Sequence, residues 1–331
     1  MSSITFPETL LDRTIARPRP AWVTAGLLLL LVSLAWIAAY ADGQHVGFFR
    51  DGHWRGTLNT PATIGYILII APWIIGEEQR ALGRFRSVVM LDDESLAHLI
   101  EREYNAPLWQ EMLALAIGAA VGLVPALLTG RGDVSPWLWR YQVATSTVAL
   151  ALLAWVIQGS LVSARTTSTL MQQPLQIDLF DLAPFEAMGR VSLILALSFM
   201  GGSALVTLFV VGQPGLAAGT LYWLSVFFMV LVSLVVFFLS MRSTHHVLAV
   251  AKARALADVR GRIPEAYRRF TSHAPESEGS MDASSWLRAL LAYEQRIEAA
   301  RTWPYNTGML RTLLLSVLIP IGTALLRHVI G

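Results

Sequence analysis

The sequence predicts an all-α polytopic integral membrane protein with seven transmembrane helices. The N-terminus is expected inside, the C-terminus outside, with a helical extension on the cytoplasmic side. Three observations carry this prediction. First, 54% of the 331 residues are hydrophobic and only 15% are charged, against about 25% charged in a soluble domain. The mean hydropathy of +0.53 leaves too few polar side chains to cover a water-exposed surface. Second, several stretches long enough to cross a bilayer carry no charge. Third, the basic residues fall mainly on one side of those stretches.

The uncharged stretches are Ala21 to Ala41, Gly56 to Gly76, Met112 to Gly130, Tyr141 to Ala164 and Val191 to Met241. The last is 51 residues long and is divided by Gly212-Gln213-Pro214-Gly215. That is a turn signal, so two helices are expected there. A final run, Thr312 to Leu326, lies between Arg311 and Arg327, which can snorkel from its ends. The first run has a basic leader (Arg17, Arg19) and Ala39-Tyr40-Ala41 resembles a signal-peptide cleavage site. It is longer than a usual signal core, so an uncleaved helix is expected.

With the N-terminus inside, 20 Arg and Lys residues fall inside and 5 outside. This asymmetry sets the predicted orientation, and the plasma (inner) membrane is the expected location. The pI near 9.1 reads as this cytoplasmic bias, not as nucleic-acid binding. Of the 25 basic residues, only Lys252 is a lysine.

The segments expected inside have patterns of their own. Asp92 and Asp93 are placed to cap a helix through Tyr104, with Leu96, Leu99, Ile100 and Glu103 at helical spacing. Asp178 and Asp181, between spans four and five, read as caps or partners for Arg. From Thr220 until Gly261 neither Gly nor Pro occurs, which predicts a rod of about 60 Å. It should project well beyond a hydrocarbon core of about 30 Å and end or kink at Pro264. The Ser-, Glu- and Gly-rich stretch Thr271 to Ser285 reads as a linker. A helix from Trp286 to Arg301 then carries Trp286, Leu290, Tyr293 and Ile297 at intervals of 4, 3 and 4, the spacing of a packing seam. Trp303-Pro304-Tyr305 makes the elbow into span seven. Three regions follow: 1–241 with spans one to six, 242–303 as a cytoplasmic helical anchor, and 304–331 as the last span.

No phosphate-binding loop, dinucleotide fingerprint, H-E-x-x-H or G-x-S-x-G motif is present. There is no Cys, and His245-His246 are adjacent, so on a helix they diverge by about 100°. Neither an enzyme nor a cofactor is expected. Thr145, Ser146, Thr147, Ser198, Ser203, Ser225 and Ser233 are polar residues within spans. They serve either helix-to-helix hydrogen bonding or a ligand vestibule. Gly201-Gly202 marks a close helix contact or a bend.

In span seven, Thr312, Ser316, Pro320, Thr323 and Arg327 are spaced by 4, 4, 3 and 4 and fall within one arc of about 80°. This face either lines a water-filled path or satisfies its own backbone. In the first reading Ile319, beside the arc, is an apolar constriction that gates by dewetting. The expected function is a homo-oligomeric, ligand-gated ion channel, most plausibly a homotetramer. The partners are then further copies of the chain, the bilayer and a small-molecule ligand. A sensor or scaffold signalling through the cytoplasmic helices, or a transporter, is the alternative.

Met90-Leu91-Asp92-Asp93-Glu94, Ile177-Asp178-Leu179-Phe180 and Trp303-Pro304-Tyr305 resemble segments of a broad group of uncharacterised prokaryotic multi-spanning proteins. In architecture the chain also resembles the insect odorant and gustatory receptor superfamily. That resemblance implies a tetrameric cation channel, anchored by cytoplasmic helices and lined by the last helix. The Thr-Tyr…Gln-Phe signature of that superfamily's last helix is absent here. A ring of Arg327 would repel cations, so charge selectivity stays open.

Overall fold

A computed structural model describes residues 20–43, 48, 53–104, 107–129, 135–210, 220–272 and 278–303, with helical positions at 308–309, 311–316, 318 and 322. Its helices are α1 Ala21–Ala41, α2 His53–Phe85, α3 Asp93–Tyr104, α4 Leu108–Thr129, α5 Pro136–Met171, α6 Ala183–Val210, α7 Thr220–Ser272 and α8 Glu278–Ala299. Among the described residues there is no strand, only one bridge between Val89 and Leu175. Six helices are long and apolar enough to cross a membrane: α1, α2, α4, α5, α6 and α7. The chain is therefore an all-helical, multi-pass membrane protein by length and composition. Most of the seventh expected span lies outside the described residues.

The bundle is built around α2, α5, α6 and α7, with α1 laid on α2 and α5 and α4 laid on α5. The α4–α5 approach is the closest. Gly118 and Gly122 of α4 form a G-x-x-x-G pair, and a Cβ on them would sit 2.3 Å from the Leu150 carbonyl oxygen and 2.6 Å from the Thr147 Cα. Only glycine permits this contact, which gives van der Waals attraction where lipid removes the hydrophobic drive. Asp42, just past α1, accepts hydrogen bonds from the Trp137 and Leu138 amides at 3.0 and 2.9 Å. A carboxylate on a helix N-terminus is favoured by the exposed N–H groups and the dipole, so α1 is tied to α5.

At the end of the bundle rich in basic residues, the predicted caps form. Asp92 Oδ2 accepts from the Ser95 amide at 3.1 Å. Hydrogen bonding from Ser95, its hydroxyl first and then its amide, holds the carboxyl below its usual range. Asp181 Oδ1 accepts from the Ala183 amide at 3.1 Å and opens α6. The linkers before α3 and before α6 pair as backbone: Met90 N donates to Pro174 O and Gln176 N to Val88 O. Phe85 and Phe185, both buried, meet edge to face beneath this bridge.

Helix α7 runs 53 residues, about 80 Å, longer than expected. Pro264 does not end it. Pro264 lies on the exposed face, where the carbonyl of Arg260 that it cannot satisfy meets water. The expected linker from Thr271 is also shorter, since α7 reaches Ser272 and α8 begins at Glu278. Helix α8 folds back on the projecting half of α7 and buries Val259, Ala266, Leu290 and Ile297 together. Arg260 bridges to Glu294 and Glu298 at 2.6 and 2.5 Å, and these carboxylates raise its pKa further. Lys252 Nζ donates to the Glu298 and Ala300 carbonyls at 2.6 and 2.9 Å, capping the C-terminus of α8.

Candidate functional site

The four core helices do not close completely on one another. Between α2, α5, α6 and α7 lies a cavity of about 270 Å³. Its wall is mostly aliphatic: Ile67, Ile70 and Ile74 from α2, Leu150, Leu153 and Val156 from α5, Phe199 and Val206 from α6, Val226 and Met229 from α7. On α2 the residues Asn59, Thr63, Tyr66, Ile70 and Ile74 recur every three or four positions and present one face. Among them, Tyr66 reaches across and donates to the Ser198 carbonyl at 2.8 Å. The ring passes so close to α6 that a Cβ on Gly201 would lie 2.4 Å from the Tyr66 hydroxyl. Gly201-Gly202 is thus a close-contact point, as its sequence suggests.

Ser146, Ser198, Ser203 and Ser225 all line the cavity. Ser146 and Ser198 hydroxyls donate to carbonyls of their own helices, those of Val143 and Ile194. Thr63 does the same to Asn59. Ser203 differs: it is 2% exposed and its Oγ meets no hydrogen-bond partner. Asn59 Oδ1 is a second buried oxygen without one. A buried polar group left unmatched costs roughly 1–3 kcal/mol, and both residues line the cavity. The remaining polar residues bind helices together: Thr145 meets Thr60 at 2.9 Å and Ser233 donates to the Ala196 carbonyl at 2.9 Å. The expected helix-to-helix use of the span hydroxyls is therefore met by Thr145 and Ser233.

Of the expected pore residues, the described Thr312 and Ser316 do not line this cavity. Thr312 and Ser316 donate to the Gly308 and Leu313 carbonyls at 2.9 and 2.7 Å. Leu313 between them is 2% exposed and packs with Leu193, Ala196, Phe237 and Met241. Ile319, Pro320, Thr323 and Arg327 lie outside the described residues. The expected assembly seam divides. Leu290 and Ile297 are consumed within the chain by α7, whereas Trp286 and Tyr293 stay about half exposed. Tyr293 meets Phe180 at a tilt of 55° with ring centroids 5.9 Å apart, and Phe180 also lies under the Arg296 guanidinium. The resemblance segments around residues 90 and 177 are thus neighbours, and Trp303 stacks on His245 at 3.9 Å.

The polar residues singled out in the sequence lie on spans four to six, whereas α2 adds Asn59, Thr63 and Tyr66 to the cavity at helical spacing. Among the described residues no group of three or more His, Asp or Glu is placed to hold a metal. Comparison with family models, with curated proteins and with solved structures found no match to this chain.

Proposed function

We propose that this chain is a ligand-responsive membrane protein. Its cavity takes a small, largely apolar molecule carrying one or two hydrogen-bonding groups, and α7 conveys occupancy to the projecting α7–α8 hairpin. The carrying observation is the cavity itself, of about 270 Å³ with Ser203 Oγ and Asn59 Oδ1 unmatched in an aliphatic wall. An apolar pocket with a few convergent polar atoms is the usual form of a small-molecule site. Helix α7 contributes Val226 and Met229 to the wall and Val259 and Ala266 to the hairpin core, so one rigid element touches both. The orientation that fits the charge asymmetry places the hairpin in the cytoplasm and the N-terminus inside.

The test uses purified protein in lipid nanodiscs with 1-aminoanthracene as probe. Saturable fluorescence enhancement is expected. Leu153→Trp, which fills the cavity, should abolish it, and Ser203→Ala should weaken it up to about tenfold, the worth of one hydrogen bond. Binding should also change hydrogen exchange in α8. Enhancement that is indifferent to Leu153→Trp would reject the site.

A channel reading rests on a separate observation: Thr312 is exposed beside inward-packed Leu313. A polar row there faces away from the bundle, toward lipid or a second copy in a ring. Cysteines at 312 and 316 should then react with a water-soluble thiol reagent in membranes and alter conductance, while those at 314 and 318 should not. Equal protection at all four removes the pore.

A further inference from the structure

The cavity between α2, α5, α6 and α7 has two unlike ends. Thr60 meets Thr145 and Glu78 meets Ser163, both pairs 85 residues apart. Helices α2 and α5 therefore run in step, and Ser146 lies level with Asn59 to Thr63. Helix α6 runs the other way. Tyr66 touches the Ser198 carbonyl and approaches Gly201 and Gly202, so Ser203 falls on the Asn59 side of that ring. Ser225 of α7 joins it, since α7 runs antiparallel to α6, with Ser233 at Ala196 and Ser240 at Ser192. Asn59, Thr60, Thr63, Ser146, Ser203 and Ser225 thus gather at the end remote from the α7–α8 hairpin. Past Tyr66 the wall is Ile70, Ile74, Leu153, Val156 and Phe199, which pack as one hydrophobic cluster. Ser198 is the polar residue at that end, and its proton goes to the Ile194 carbonyl.

At the polar end most hydroxyl protons are committed. Thr63 and Ser146 donate to carbonyls of their own helices. Thr145 donates to the Tyr141 carbonyl, so its contact with Thr60 takes the Thr60 proton. Asn59 Oδ1 and Ser203 Oγ are buried there without a hydrogen-bond partner. Among the described residues, none that lines the cavity is charged. An ionised head would lose its water with no opposite charge to pair it. A hydroxyl head instead carries a proton for Asn59 Oδ1 and lone pairs for the Ser203 proton, and so matches either. The lining runs along α2 from Asn59 to Ile74, about 22 Å, so the space is long for its volume. At about 30 Å³ per water-sized group, a volume of about 270 Å³ takes a chain of about nine or ten such groups.

We propose that the occupant of this cavity is a neutral, medium-length, straight-chain amphiphile, in its simplest form a primary alcohol. Its hydroxyl sits among Asn59, Ser146 and Ser203, and its tail lies between Ile70, Ile74, Leu153 and Phe199. This rests on the ligand-site reading above and narrows it to a chemical class and an orientation.

The experiment uses two photoreactive ten-carbon alcohols, one with a diazirine beside the hydroxyl end and one with it at the tail. Each is irradiated with the purified full-length protein in lipid nanodiscs, and adducts are located by peptide mass spectrometry. The tail diazirine should label 70–74 and 153–156, and the head diazirine 59–63 and 203. Excess 1-decanol should suppress both, whereas ionised decanoate and decyltrimethylammonium should not. 1-Decanol should compete about tenfold better than decane, the worth of one hydrogen bond, and Asn59→Ala with Ser203→Ala should erase that margin. If the double variant does not fold, the labelling of the unaltered protein decides. Adducts confined to lipid-facing residues such as Phe227 and Leu231, the same adducts from both diazirines, or equal competition by decanoate each overturn the proposal. So does an unchanged margin in the folded double variant. Any of these results beside saturable 1-aminoanthracene binding that Leu153→Trp abolishes overturns the neutral chain and leaves the apolar site standing. Absence of both kinds of binding overturns both.

Discussion

The two halves of α7 are one continuous helix with opposite designs. In the first half Leu224, Phe227, Phe228, Leu231, Val235, Phe238 and Leu239 are exposed, while Ser233 and Ser240 are buried. Past Arg242 the pattern inverts: Arg254, Asp258, Arg262, Glu265 and Arg269 face outward, and Leu248, Val259 and Ala266 are buried. The backbone does not change, so the solvent does. In lipid an apolar surface costs nothing, and helices associate through close packing and internal hydrogen bonds. In water the same rod must hide its apolar stripe, and α8 supplies the cover. Interior Ser in the first half, and ion pairs over an aliphatic stripe in the second, are thus two answers to one requirement.

The largest break in this contrast is expected in the projecting half. Leu290→Asp with Ile297→Asp places two carboxylates in the hairpin core and should cost more than about 4 kcal/mol. Hydrogen exchange over 278–299 should then rise to the rate of an undocked segment, while α2, α5 and α6 stay protected. In the lipid-facing half, Phe227→Leu should stay within about 0.5 kcal/mol. A next effect tests close packing. Gly118→Leu forces α4 off the α5 backbone and should cost about 1–3 kcal/mol, read as a lower unfolding midpoint in detergent. No shift there would mean that α4 is not held by the glycine contact. The smallest effect concerns pH. The Asp92 carboxyl is held below its usual range when folded, so its cap is fully present above the unfolded carboxylate pKa. It is lost as pH falls through the depressed folded value. Exchange over 93–104 should rise in that acid window, and Asp92→Ala should show the raised exchange at neutral pH already.

The helices were legible because their signal is local. Uncharged runs mark α1, α2, α4, α5, α6 and α7, and the Asp caps at 92 and 181 act within three residues of themselves. The end of α7 was not legible, because the cost of Pro264 depends on whether its side of the helix meets water. The fate of Leu290 and Ile297 was ambiguous for a similar reason. Their 3–4 spacing demands a partner but does not say whether that partner is another copy or the same chain. At the cavity, Ser203 and Ser233 look alike in sequence. Only the facing helix distinguishes them, since Ser233 finds the Ala196 carbonyl and buried Ser203 Oγ finds no hydrogen-bond partner.

By itself, then, the sequence determined the solvent of each helix and its caps, because hydrophobicity and short-range hydrogen bonding are properties of neighbouring residues. It also determined that the second half of α7 must project, because the run from Thr220 until Gly261 without Gly or Pro already makes about 60 Å of helix, beyond the hydrocarbon thickness. Tertiary structure alone decided which hydroxyls find a partner on a facing helix, that α8 covers α7, and that Glu78 accepts from Ser163 of α5. Those outcomes depend on the rotation of each helix about its own axis. That rotation is set by packing between helices far apart in the chain, such as Tyr66 against Gly201 and Gly118 against Leu150, for which no local pattern exists.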